Sequence, residues 1–222
     1  NIYVLIRKSG EGKSLPIKHT MGLLKPTLGR VIVDDEDITD YQIEDLKRIR
    51  KKIGMLFQHA ALFDSLSVFD NVAFPVLEHE SITVAELKDR VQGALDMVGL
   101  LHTSQKFPSE LSTGEKKRVG LARAIVHKPK IILYDEPTTG MDPLVSEMID
   151  ELIVSVSEQN PELTSIVISH DLKAALDISD NAVMLYKGKV QLAASPDEFR
   201  NTDDPVIRQF FSGKVEGPME FM

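Results

Sequence analysis

The chain has 222 residues, enough for one sizeable α/β domain. Its formal net charge of −8 speaks against a nucleic-acid backbone as the main partner, and the absence of cysteine excludes a disulfide framework or a thiolate metal site. No apolar run approaches the ~20 residues needed to cross a bilayer.

Residues 2–6 read as a strand buried on both faces, so the sequence is expected to begin inside a domain rather than with a signal peptide. The strand feeds Ser9-Gly10-Glu11-Gly12-Lys13-Ser14-Leu15, a Gly-rich turn opening a helix. Backbone N–H groups in such a turn converge at the positive end of a helix dipole, where phosphate oxygens bind. Lys13 would reach the β- and γ-phosphates, and the Ser14 hydroxyl would ligate Mg²⁺. The pattern G-x-x-x-x-G-K-[ST] has Arg7 at its first glycine, which predicts a strained or open turn. A plain Gly/Ser surface turn before a helix is the competing reading of this segment alone.

Residues 30–34 read as a strand of a peripheral antiparallel piece, and 53–57 as a further core strand. From about residue 64 to 125 helix signals dominate. Thr83-Val84-Ala85-Glu86 has capping-box spacing, and Leu87, Val91, Leu95 and Val98 continue one apolar stripe. Ser112-Thr113-Gly114-Glu115 has the same capping form and leads into Lys116-Lys117-Arg118, a strongly basic helix start. The expectation is a helical lobe at 64–125 inserted into an α/β core built from 1–63 and 126–222.

Residues 131–134 are continuously apolar and end in Asp135-Glu136-Pro137. On a buried parallel strand that end opens into the ligand crevice of the sheet. There Asp135 would orient Mg²⁺ and Glu136 would polarise an attacking water; a plain solvated turn is the alternative. The helix after Pro143 carries Leu144, Val145, Met148, Ile149, Leu152, Ile153 and Val156 on one face, which reads as core. A strand at 165–169 precedes His170. Residues 182–186 and 190–193, joined by Lys187-Gly188, read as a hairpin of the peripheral piece. Ser195-Pro196-Asp197-Glu198 opens a last helix with proline at its first position. His19, His59, His79, His102 and His127 lack metal-ligand spacing and read as surface or packing residues.

In this order, the phosphate turn, Leu111-Ser112-Thr113-Gly114-Glu115, Asp135-Glu136 and His170 resemble an ABC (ATP-binding cassette) transporter ATPase over essentially the whole chain. The resemblance implies an α/β P-loop NTPase core with a mainly parallel sheet, an inserted α-helical subdomain, and ATP with Mg²⁺ as cofactors. Gln58 matches the Q-loop glutamine, which contacts Mg²⁺ and the attacking water. Asp142, in Thr139-Gly140-Met141-Asp142, matches the D-loop that crosses the dimer interface, and His170 matches the switch histidine at the γ-phosphate. Ser112, Gly114 and Glu115 match the LSGGQ signature, which binds the nucleotide held by a second subunit. Thr113 stands for its first glycine and is expected to crowd the backbone; Glu115 stands for its glutamine and brings negative charge near phosphate.

Within the family the likeness is to the ATPase of Mla/Mce-type phospholipid transporters. It is carried by Gly54-Met55-Leu56-Phe57-Gln58-His59-Ala60-Ala61-Leu62-Phe63, Val68-Phe69-Asp70-Asn71-Val72-Ala73-Phe74-Pro75, Val206-Ile207-Arg208-Gln209-Phe210-Phe211 and Gly217-Pro218. It implies a homodimer of ATPase subunits on the cytoplasmic face of the inner membrane. It also implies integral membrane permease subunits and a lipid-binding Mce-type protein in the complex, and no nucleic acid. Residues 62–75 are the expected permease contact. The family's N-terminal antiparallel strands and adenine-stacking aromatic have no counterpart here, and Tyr3 does not take that role. Arg7 and Thr113 motivate a second reading, a nucleotide-binding interaction module with impaired hydrolysis; Lys13, Asp135, Glu136 and His170 oppose it. A soluble family member acting on DNA or ribosomes is disfavoured by the compact helical lobe and the acidic balance.

Overall fold

The computed structural model describes residues 1–7 and 15–219. In chain order the first elements are β1 (Ile2–Arg7), α1 (Leu15–Thr20), β2 (Ile32–Val33), β3 (Glu36–Asp37), α2 (Ile43–Arg50), β4 (Ile53–Leu56) and α3 (Val68–His79). Then come α4 (Val84–Met97), α5 (Thr113–Ile125), β5 (Ile131–Asp135), α6 (Pro143–Gln159), β6 (Thr164–Ser169) and α7 (Leu172–Ile178). The chain continues through β7 (Asn181–Tyr186), β8 (Lys189–Ala194), α8 (Pro196–Asn201) and α9 (Pro205–Ser212).

Six strands form one sheet in the order β4-β5-β6-β1-β7-β8, parallel except for β8, which returns antiparallel to β7. Strands β4, β5, β6 and β1 are largely apolar on both faces because both faces are covered, whereas β8 at one edge of the sheet has no buried residue. On β5, Ile132 and Tyr134 join the cluster packed with α3–α7, while Leu133 points to the cluster containing Ile17, Val33, Leu46 and Ile49. The predicted peripheral piece is corrected here. Residues 30–34 contribute only β2, paired with β3 in a separate two-stranded sheet. β7 pairs parallel with β1 inside the main sheet, a non-local neighbour that the hairpin pattern of 182–193 could not reveal. The hairpin turn itself is as expected, with Lys187 and Gly188 both at positive φ, the I′ geometry suited to twisted strands.

The helix starts follow the local signals. Thr83, Ser112 and Ser195 close capping boxes with Glu86, Glu115 and Glu198, and Pro196 sits in the first turn of α8. α6 departs from expectation. Ile149, Ile153 and Val156 are buried, but Leu144 is 82% and Met148 44% exposed. The first turn of that helix runs past the edge of the core.

Two glycines set how closely α5 lies on β4. A Cβ on Gly54 would stand 2.2 Å from the Ala124 carbonyl oxygen, and one on Gly120 would stand 2.8 Å from Leu56 Cδ1. The backbones therefore approach as larger residues would forbid. This contact carries the start of α5 to the carboxyl ends of the strands. Among the described residues no helix is long and apolar enough to cross a membrane.

Candidate functional site

Parallel pairing of β4, β5, β6 and β1 puts their carboxyl ends on one edge of the sheet. Ligands of open α/β sheets bind at that edge. Gln58 follows β4, Asp135 ends β5, Glu136 comes next, and His170 follows β6. Arg7 ends β1 in register with Leu185. The predicted cradle residues Ser9, Gly10, Glu11, Gly12, Lys13 and Ser14 lie outside the described residues. Leu15 opens α1, with Pro16 second in the helix, where no helical hydrogen bond is lost.

Glu136 is the most constrained of the predicted residues. It is 3% exposed and sits at φ +47, a left-handed conformation that costs a non-glycine residue on the order of 1–3 kcal/mol. Its N–H donates to the Ile168 carbonyl at 3.0 Å, tying it to the end of β6. The Thr139 hydroxyl donates to Oε2 at 3.0 Å. His170 Nδ1 stands 3.7 Å from Oε1, and the imidazole is 44% exposed. A buried carboxylate beside a solvent-facing imidazole can accept a proton from a water between them. Asp135 lies in the same turn, and its charge reaches the buried Lys117.

Gln58 is half-buried and makes no side-chain hydrogen bond among the described residues. The turn after it is held from α5. Arg123 Nη1 and Nη2 donate to the Ala61 and Ala60 carbonyls at 2.7 and 2.6 Å, and both alanines have positive φ, 50 and 58. By chemical type, the Asp135 carboxylate and the Gln58 amide oxygen are hard donors of the kind that suits Mg²⁺, while Ser14, the third expected ligand, lies outside the described residues.

Ser112 caps α5. Its Oγ accepts from the Glu115 N–H, while its own N–H and hydroxyl donate to Glu115 Oε2 at 2.8 and 2.7 Å. These hydrogen bonds hold the Glu115 carboxyl below its ordinary pKa. The glutamate that replaces glutamine therefore has a capping task within its own chain. Thr113 begins the helix with an exposed side chain, and the expected crowding does not disturb this chain's own fold. A Cβ on Gly114 would come 3.0 Å from Val145 Cγ1, so the start of α5 lies close to α6. Asp142 caps α6, with Oδ1 accepting from the Leu144 and Val145 N–H groups at 3.1 Å each.

Sequence reading missed Lys117, Arg123 and Thr139. The sequence marks the start of α5 only as strongly basic, yet Lys117 is 2% exposed and Arg123 8%. A signal existed: Lys117 shares the helical stripe of Gly120, Leu121 and Ala124 at i, i+3, i+4 and i+7, all buried. Desolvation brings the Lys117 ammonium down to about 8, opposed by the nearby charges of Asp135 and Glu136. The five remaining histidines behave as packing or surface residues, with His79 and His127 stacked edge to face at 6.4 Å.

Asp150 on α6 was also unforeseen. Burial, with Glu147 and Asp171 as acidic neighbours, raises its carboxyl from near 3.8 to about 7. The folded state thus holds this proton where the unfolded chain has released it. Its stabilising contribution is fully present below about pH 4 and is lost as pH rises through 7. Asp150→Asn is expected to flatten that decline between about pH 4 and 7. At pH 8 it should raise stability by about 1–2 kcal/mol after allowance for solvent screening, as read by thermal unfolding across the pH series.

Residues 1–139 match the family described as ABC transporter, and the chain belongs to that family. Among its relatives, the probable ribonucleotide transport ATP-binding protein mkl of Mycobacterium bovis is 39% identical over 98% of this chain and 60% of its own length. The intermembrane phospholipid transport system ATP-binding protein MlaF of Haemophilus influenzae is 39% identical over 99% of this chain and 83% of its own. The dimeric post-hydrolysis structure of the ATP-binding cassette MJ0796, bound to ADP and Pi, superposes with a TM-score of 0.78. It is 30% identical, over 88% of this chain and 84% of that one. The chain spans about three fifths of the length of the mycobacterial relative.

Proposed function

We propose that this chain is the ATP-hydrolysing motor of a membrane transporter and that its cargo is phospholipid. The observation that carries the motor reading is Glu136. It is a buried carboxylate fixed by Thr139 and Ile168, beside His170 and next to Asp135, at the sheet edge fed by β1. Glu136 accepts the proton of the attacking water, and His170 donates to the γ-phosphate oxygens as charge builds on them. Residues 9–14 cradle the phosphates, with Lys13 as the point charge. Asp135, Gln58 and Ser14 would hold Mg²⁺, which when bound would neutralise phosphate charge.

Two copies pair so that the Ser112–Gly114–Glu115 helix start of one caps the nucleotide of the other, with Asp142 near the seam. The dimeric cassette bound to ADP and Pi supports this arrangement. Exposed Leu144 and Met148 beside Asp142 suit a surface that is covered on pairing. We assign 1–63 and 126–222 to the ATPase core and 64–125 to a helical subdomain. Membrane permease subunits dock on 62–75, where Phe63 and Phe74 are partly exposed with ring centroids 4.9 Å apart. That segment, a turn running into α3, is preorganised. Buried Asn71 accepts from the Phe63 N–H and donates to the carbonyls of Phe63, Leu66 and Ser67. Such docking places the chain at the cytoplasmic face of the membrane, and a Mce-type lipid-binding protein completes the complex.

The lipid cargo rests on likeness to MlaF, against which the name of the mycobacterial relative stands. The test is transport by the complex isolated with its membrane partners and rebuilt into vesicles. Labelled phospholipid should leave or enter the bilayer on addition of Mg-ATP. Movement of a ribonucleotide with no lipid transfer would overturn the cargo and leave the motor reading intact.

A further inference from the structure

The buried ammonium of Lys117 has no role in the reading above. Its Nζ donates to the Phe57 carbonyl at 3.3 Å and to the Glu136 carbonyl at 3.5 Å. These acceptors stand at the ends of β4 and β5, one just before Gln58 and the other on the left-handed residue itself. The Phe57 oxygen also accepts from the Ala60 N–H, and the Glu136 oxygen from the Thr139 N–H. One cation therefore joins the two turns that present Gln58 and Glu136 to the same edge.

We propose that Lys117 is a positioning residue for ATP hydrolysis, clamping the peptide groups beside Gln58 and Glu136 from the helix that begins at Ser112. The inference rests on the motor reading. A buried lysine is a costly way to fill this space, since a methionine of similar volume needs no desolvation. Its hydrogen bonds are long beside those of Arg123, which at 2.6 and 2.7 Å already hold the turn after Gln58. Lys117 thus adds little to the fold beyond what Arg123 supplies, and its donors point at the residue that carries the reaction. The left-handed Glu136 peptide can relax by rotating, and that rotation swings the carboxylate. The clamp also gives the Ser112–Glu115 helix start a route to this chain's own reacting residues through about one turn of helix.

The test compares Lys117→Met, Lys117→Gln and Lys117→Arg with the unaltered protein for thermal midpoint, ATP affinity and steady-state turnover. Lys117→Met should lower kcat roughly ten- to hundredfold, the scale of a misplaced reacting group, with KM within about threefold and an unchanged or higher midpoint. Lys117→Arg, which keeps cation and donors, should recover most of kcat. Lys117→Gln, which keeps donors without charge, should fall between them and serves if the methionine variant does not fold. A kcat unchanged in the methionine or glutamine variant would overturn the proposal. So would a fall in kcat matched by a fall in midpoint and not rescued by arginine. Mg-ATP turnover absent from the unaltered protein would remove the motor reading and this inference together.

Discussion

Glu136→Gln is expected to lower Mg-ATP turnover by about 10²–10⁴-fold, the usual contribution of a positioned general base, while leaving nucleotide binding intact. The substitution keeps the volume of a side chain that is 3% exposed, and an amide oxygen can still accept from the Thr139 hydroxyl. The fold has no reason to change. On the proposed mechanism the carboxylate that takes the proton is lost, and His170, 3.7 Å from it, would not replace it while donating to the γ-phosphate. Phosphate release and a nucleotide titration on the same samples provide the measurement. Turnover within about threefold of the unaltered protein would mean that another group takes the proton. Absence of turnover from both, with ATP bound, would favour the interaction-module reading motivated by Arg7 and Thr113.

The largest expected effect on stability is that of Arg123→Met. Its guanidinium is nearly buried and gives two short charge-assisted hydrogen bonds to the Ala60 and Ala61 carbonyls. Both alanines hold left-handed conformations that the chain would otherwise leave. Methionine fills much of the space but leaves both carbonyls without their donor. The loss is about 2–4 kcal/mol. For a chain of this size that corresponds to a fall in melting temperature of roughly 5–15 °C. Because the same turn presents Gln58, turnover should fall in the surviving folded protein as well. Thermal unfolding monitored by circular dichroism tests this. A midpoint within about 2 °C of the unaltered protein would show that water or a rearranged turn satisfies those carbonyls.

Much of the candidate site was legible in the sequence because its markers are local. A continuous apolar run followed by two acids locates Asp135 and Glu136 at a strand end, whatever the rest of the chain does. The same holds for His170 after β6 and for Gln58 after β4. What could not be read was the company these residues keep. Thr139 reaches Glu136 through a turn whose path depends on left-handed backbone at Glu136 itself. Lys117 reaches it from a helix that begins near residue 113, across a packing contact allowed by Gly54 and Gly120.

Local pattern by itself determined where most helices begin and which runs become strands. Capping residues satisfy orphan N–H groups within one turn, and a run buried on both faces needs no partner named in advance. Only the tertiary structure decided that β7 lies beside β1, and that Leu144 and Met148 lie beyond the core while Lys117, Arg123 and Asp150 lie within it. Periodicity states which residues share a face. Which faces meet depends on pairing between segments far apart in the chain, and at those meetings polar groups become buried and acquire their chemistry.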